Sequence, residues 1–215
     1  VINSPSKGQI ERELLASGLL PAGVDEVGRG CLAGPVVAAC VVLDYDKLWS
    51  LSKSTLSRIR DSKTLSSKQR SELIELINGI SIDSGIGTAC PREIELAGIL
   101  GATFLAMNRA ISCIKTVEPD VLLVDGNQKI KDQSIKQQTV VKGDSLCFAI
   151  AAASILAKEF RDNYMRSRAE DLRFWGFEKH VGYGTAEHLS AIQHHGICEL
   201  HRKNFAPIRT MIQHP

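Results

Sequence analysis

Nine residues, "PVVAACVVL" from Pro35 to Leu43, carry no charged side chain and no polar group beyond one thiol. A continuous run rich in β-branched residues, without polar alternation, reads as a strand buried on both faces. Such a strand must lie inside a sheet that is covered on each side. Few chain architectures satisfy that demand, and the neighbouring segments narrow them further.

Just before it, "GVDEVGRG" (Gly23–Gly30) offers a short strand over Gly23–Glu26, turned by its glycines. The brief glycine-containing connection between the two strands predicts an antiparallel pair. Residues 8–19 place Ile10, Leu14, Leu15 and Leu19 at helical spacing before Pro21. Residues 44–64 are polar and serine-rich, with no regular pattern. A serine-capped helix is expected over 66–77, with Leu73, Ile74 and Ile77 inward, and an alternating strand over 80–89. The stretch 91–114 reads as a helix begun by Pro91 and broken at Gly98 or Gly101. Strands follow at 120–126 and 137–144, then an alanine-faced helix at 145–165. The tail, 166–215, holds all six histidines and reads as short helices and loops. Strands in a run, then strands alternating with helices, predict a mixed five-stranded α/β sheet flanked by helices. Its first three strands should be antiparallel and its last two parallel additions.

A chain of 215 residues makes one domain with a full core. Its formal charge of +2 gives no electrostatic pointer, so any basic surface must come from arrangement rather than surplus. The six cysteines form no CxxC pair, and most sit in apolar company, as free thiols of a reducing compartment do. No charged-then-apolar leader is present and no stretch approaches the roughly 20 apolar residues of a membrane span. A cytoplasmic protein is expected.

Four acids stand where strands meet turns. Asp25 and Glu26 precede Val-Gly-Arg-Gly, Asp125 ends "VLLVD", and Asp144 follows "VVKG" and leads into a helix. A carboxylate in apolar strand sequence is costly to bury unless it is paired or binds a cation. Their convergence at one sheet edge would suit hard divalent cations, which take oxygen ligands. Two such ions about 4 Å apart can stabilise the attacking and leaving oxygens of phosphoryl displacement. Neighbours on a regular strand point to opposite faces, so Asp25 and Glu26 are expected to share a site only if the strand kinks or ends there. The histidines show no HExxH or paired Cys/His spacing, so they read as surface or phosphate-proximal groups. Lys158 and Arg161 read by default as a solvated helix face, although near Asp144 they could also help hold substrate or stabilise the site, and Trp49 and Trp175 read as packing.

The blocks "GVDEVGRGCLAGPVVAACVVL", "DSKTLS", "LLVDGN", "VVKGDS" with "IAAASILAKEFRD", "HVGYGTAEH" and "HRKNFAPI" occur in this order. Together, over residues 8–210, they closely resemble bacterial ribonuclease HII, the type 2 ribonuclease H. The resemblance implies a ribonuclease H-like catalytic domain over 1–170 and a helical C-terminal extension, 171–215, packed on it. It implies cleavage, with Mg²⁺ or Mn²⁺, of RNA in RNA–DNA hybrids and of duplex DNA on the 5′ side of a single embedded ribonucleotide. The ends left are a 3′-hydroxyl and a 5′-phosphate. The family's acids fall on Asp25, Glu26, Asp125 and Asp144, the four singled out above. Its ribose-sensing backbone falls on Gly28, Arg29 and Gly30, a residue near the phosphate backbone on Lys63, and the tyrosine against the sugar beyond the junction on Tyr183. A monomer acting on nucleic acid, without membrane association, is expected. Two departures are visible: residues 44–60 are longer and more polar than the usual connection, and Asn204 stands where a serine is common. The rivals are a nucleotidyl transferase or DNA nuclease with similar acids, and a non-catalytic hybrid-binding module. The first is disfavoured by the GRG and GYG segments, the second by carboxylates that would face phosphates with no gain in binding.

Overall fold

In the computed structural model, which describes residues 6–60 and 66–213, the apolar run forms strand β2 (Val36–Leu43), buried at every position. Strand β1 (Pro21–Val27) pairs with it antiparallel, from Ala22↔Val42 to Val27↔Val37. β3 (Ser81–Ala89) pairs antiparallel on the other side of β2. β4 (Val121–Asp125) and β5 (Lys136–Val140) are added in parallel beyond β1. The order β3-β2-β1-β4-β5 is the predicted mixed sheet. The carboxyl ends of β1, β4 and β5 therefore open on one edge, where parallel sheets commonly take ligands.

Helices cover both faces. α1 (Gln9–Ala16) precedes β1, while α2 (Tyr45–Ser50) and α3 (Lys53–Leu56) follow β2. α4 (Ser67–Ile80) leads into β3 and α5 (Pro91–Ser112) leaves it. α6 (Gly143–Leu146) and α7 (Phe148–Ser167) follow β5, and α8 (Phe177–His180), α9 (Ala186–His195) and α10 (Ile208–Gln213) build the tail. Alternate residues of β2 enter opposite cores: Val37, Ala39 and Val41 meet α7, while Val36, Ala38 and Cys40 meet α5. Both faces are dry, which is why the strand shows no polar alternation. The alanine face of α7 rides close on β1, so close that a side chain at Gly23 would strike the backbone of Ala149 and Ile150.

Several local features follow from the sequence. Ser66 and Gln69 close a reciprocal capping box at the start of α4, and α5 breaks at Gly98 (φ +70°). The serine-rich segment 44–60 is not a loop: Asp44 caps α2, Ser52 caps α3, and Tyr45, Leu48 and Ile59 plug the core. All six cysteines are free; Cys31, Cys40 and Cys147 are buried, whereas Cys90 and Cys113 are exposed. The expectation of no span-length apolar stretch is corrected by α5, whose 22 residues are long and apolar enough to cross a membrane by length and composition alone. Here its Ile94, Ala102, Ala106 and Ala110 are buried in the core shared with β2. The tail packs Leu172, Phe177, Val181 and Leu200 against Met165 of α7 and Ala33 of the loop after β1.

Candidate active site

β1 stays paired with β2 through Val27, but its ladder with β4 stops at Val24↔Val124. The sheet is notched just where the carboxylates begin. Asp25 shares the face of Val27, beneath α7, and is 6% exposed; Glu26 shares the face of Val24 and looks toward α5. Of the two expected alternatives, a kink or a strand end, the strand shows the second: β1 ends at Val27, and its ladder with β4 ends at Val24. The two neighbours leave a regular strand on opposite faces, and the open notch, not a bend, leaves them within reach of each other. The Asp25 carboxylate accepts the Glu26 amide at 2.7 Å and the Ser154 hydroxyl of α7. Burial, then the charges of Glu26 and Asp125, push its carboxyl well above the usual range.

Asp125 ends β4 and accepts the Gly143 amide at 2.7 Å, which ties α6 to the strand end. Asp144 is the next residue, half-buried in α6 rather than at the end of β5; its carbonyl accepts Lys7 Nζ at 2.7 Å. A cavity of about 80 Å³ lies between Glu26, Arg29, Asp125 and the α5 residues Thr103, Phe104 and Met107. Carboxylates crowded around a buried member, with oxygen as their only donor atom, fit a hard divalent cation. Among the described residues no three His, Cys, Asp or Glu side chains close around one point. A cation held here would draw further oxygens from water and substrate, as small hard cations commonly do.

The Gly28–Gly30 turn lies against this notch. Arg29 is exposed and its guanidinium pairs with Glu26 at 3.1 Å. Behind the turn are two fully buried guanidiniums. Arg202 donates to the carbonyls of Gly28 (2.7 Å), Arg29 (2.9 Å) and Gly34 (3.0 Å). Arg161 donates to those of Ala33 (2.9 Å), Pro35 (3.0 Å) and Val181 (2.9 Å). Among the described residues neither makes an ion pair. Burial lowers Arg202 to about 10, so it is still charged at neutral pH. Arg161 is thus no solvated helix residue. Nor is Lys158, whose side chain is 11% exposed and bound to Asp162 at 2.7 Å.

Tyr183 is partly exposed. Its ring lies near Lys158 Nζ (5.1 Å) and its hydroxyl reaches the buried Cys31 thiol. Its backbone is held by histidines: its amide donates to the His180 carbonyl, and its carbonyl accepts His188 Nδ1 at 2.8 Å. His180 stacks on His188, which meets His201. These three are buried, not surface groups, while His194 and His195 are exposed as expected. Asn204 donates to the Glu95 carbonyl of α5. Lys63 and His214 lie outside the described residues. Sequence reasoning missed Ser154, Arg202 and the burial of the histidine trio, and offered Arg161 a role at the site only beside its default as a solvated residue; only their place in blocks of family likeness could have marked them.

The family described as Ribonuclease HII matches residues 22–208. Ribonuclease HII of Endomicrobium trichonymphae is 45% identical over 203 residues, 94% of this chain and 93% of that protein. The ribonuclease H2 structure from Pyrococcus horikoshii OT3 superposes with a TM-score of 0.74 at 22% identity, covering 90% of this chain and 97% of that one. Bst-RNase HIII, solved in complex with Mn²⁺, has a TM-score of 0.67 at 18% identity, covering 91% and 70%. These two share the fold. With a family match over most of its length and a relative of this identity, the chain belongs to the ribonuclease HII family and is a ribonuclease H hydrolase.

Proposed function

We propose that the chain cuts RNA in RNA–DNA hybrids, and duplex DNA on the 5′ side of a single ribonucleotide, using Mg²⁺ or Mn²⁺. The observation that carries this is the buried Asp25 carboxyl crowded by Glu26 and Asp125, beside a turn that presents bare backbone. Asp25 and Asp144 would share one ion, with Glu26 and Asp125 helping to hold a second. When bound, such ions activate the attacking water and stabilise the leaving oxygen.

The chain's own groups then supply position and selection. Asp25 is oriented by Ser154 and the Glu26 amide, so its carboxylate does not have to reorganise on binding. The backbone of Gly28, Arg29 and Gly30 reads the 2′-OH, which can both donate and accept a hydrogen bond. Lys63 approaches the phosphate backbone. Tyr183 packs on the deoxyribose beyond the junction. Residues 171–215 act as an extension of one catalytic domain, and the protein works as a cytoplasmic monomer. The Mn²⁺ held by the Bst-RNase HIII neighbour supports a divalent cation here as well.

The test is incubation with Mg²⁺ and a duplex carrying one ribonucleotide, with analysis of both ends. A 3′-hydroxyl and 5′-phosphate flanking the ribonucleotide's 5′ side are expected. A 2′,3′-cyclic phosphate would make the 2′-OH the nucleophile and overturn the reading.

A further inference from the structure

We infer that Arg202, from the tail, is a positioning residue that sets the chain's discrimination between ribose and other sugars. It does so by holding the Gly28 and Arg29 carbonyls inward; the inference rests on the reading of the Gly28–Gly30 turn as the 2′-OH sensor.

In a trans peptide the carbonyl and the following amide point in opposite directions. The Gly28 carbonyl and Arg29 amide share one peptide; the Arg29 carbonyl and Gly30 amide share the next. Arg202 binds both carbonyls, at 2.7 and 2.9 Å. Both amides must therefore face away from Arg202. Among the described residues neither amide donates to a protein group, and Arg29 and Gly30 are exposed. Two adjacent free donors, aimed outward next to the carboxylates, are suited to a hydroxyl oxygen that accepts.

Among the described residues the turn has few other holds, the exposed Arg29–Glu26 pair at 3.1 Å being one. Gly28 has φ +88° and Cys31 donates only a long bond, 3.4 Å, to its carbonyl. Without Arg202 the Gly28–Arg29 and Arg29–Gly30 peptides could rotate and present carbonyls instead of amides. The guanidinium suits the task because its donors form a rigid planar fork, and three carbonyls are engaged at once. A buried arginine without an acid partner is costly to keep, and three backbone acceptors of one loop are what this one has.

The experiment compares kcat/KM on a duplex with one ribonucleotide and on the same duplex with a 2′-fluoro sugar at that position. The unaltered protein, Arg202→Lys, Arg202→Gln and the core variant Ile77→Val are each measured, with the folded fraction determined by thermal unfolding. The unaltered protein should strongly prefer ribose. Arg202→Gln should lower that preference by about tenfold or more, the loss falling on the ribonucleotide substrate and on kcat more than KM. Arg202→Lys, which keeps the charge without the fork, should lie between. Ile77→Val should lower stability and leave the preference unchanged. Should Arg202→Gln fail to fold, the comparison of Arg202→Lys with Ile77→Val decides. An unaltered preference in the folded arginine variants overturns the inference alone. An unaltered protein that does not prefer ribose overturns the 2′-OH reading, and the inference falls with it.

Discussion

The Nε2 atoms of His188 and His201 lie 3.1 Å apart with no water-exposed surface on His188. Their other nitrogens assign the protons. His188 Nδ1 donates to the Tyr183 carbonyl, so its Nε2 accepts; His201 Nδ1 accepts the Cys198 amide, so its Nε2 donates. Both rings are neutral, and burial pushes each down to about 4. An unfolded chain titrates them near the ordinary value of about 6.5. Their contribution is therefore complete above that value. It is lost as pH falls through the interval, because the unfolded state takes up protons first. Two protons correspond to a slope of up to about 2.7 kcal/mol per pH unit. Chemical unfolding at pH 5 and pH 7 should show this slope, and His201→Gln should flatten it. A profile no steeper than that of His201→Gln would mean the pair is charged or solvated.

Gly28 and Gly30 should separate fold from function. A side chain at Gly28 would meet the Arg161 guanidinium and the Pro35 carbonyl at positive φ, so Gly28→Ala should cost more than about 1 kcal/mol. Among the described residues a side chain at Gly30 meets nothing within 4 Å. Gly30→Ala should keep stability within about 0.5 kcal/mol while cleavage of a single-ribonucleotide duplex falls at least about tenfold. Full activity in a stable Gly30→Ala protein would show that no ribose approaches there.

Asp25→Asn removes one of three crowded charges while keeping the acceptor for the Glu26 amide. The variant should fold, be at least as stable as the parent without metal, and still bind hybrid. Its cleavage should drop below about a tenth of the parent rate, a loss of at least about 1.4 kcal/mol. Mg²⁺ should raise the unfolding temperature of the parent more than that of the variant, since only a ligand bound to the folded state stabilises it. A variant that retains more than a tenth of the rate would remove Asp25 from the metal set.

The Tyr183 hydroxyl reaches the Cys31 thiol, a weak hydrogen-bond partner, which leaves the ring as the group expected to pack on the sugar. Tyr183→Ala should lower junction cleavage about tenfold or more, an aromatic contact being worth about 1–3 kcal/mol on bases. Tyr183→Phe should keep most of the activity. Both are measured on single-ribonucleotide and all-RNA hybrid substrates. Equal losses on the two would make Tyr183 a structural residue rather than a junction sensor.

The sheet was legible because its information is local. A strand with no polar side chain, such as Val36–Leu43, can only be interior, and alternation or helical spacing marked the elements around it. Asp25, Glu26 and Asp125 stood out in the sequence because a carboxylate at the end of an apolar strand contradicts its surroundings. The core role of Tyr45, Leu48 and Ile59 was hidden by the polar, serine-rich sequence around them, in which Asp44 caps α2 and Ser52 caps α3.

What lay beyond the sequence depends on partners far along the chain. Nothing near Arg202 announces that its fork closes on carbonyls 173 and 174 residues earlier. Nothing in "AKEFRD" distinguishes Arg161 from a solvated helix arginine, because its acceptors come from Ala33, Pro35 and Val181. The same holds for the meeting of Asp25 and Glu26. Alternation along β1 sends them to opposite faces, and only the early end of the β4 ladder leaves the gap between them open. The sequence by itself determined which side chains could do the chemistry, since charge and hydrogen-bonding capacity belong to the residue. The tertiary structure alone decided how they are aimed, since orientation comes from backbone groups that only folding brings together.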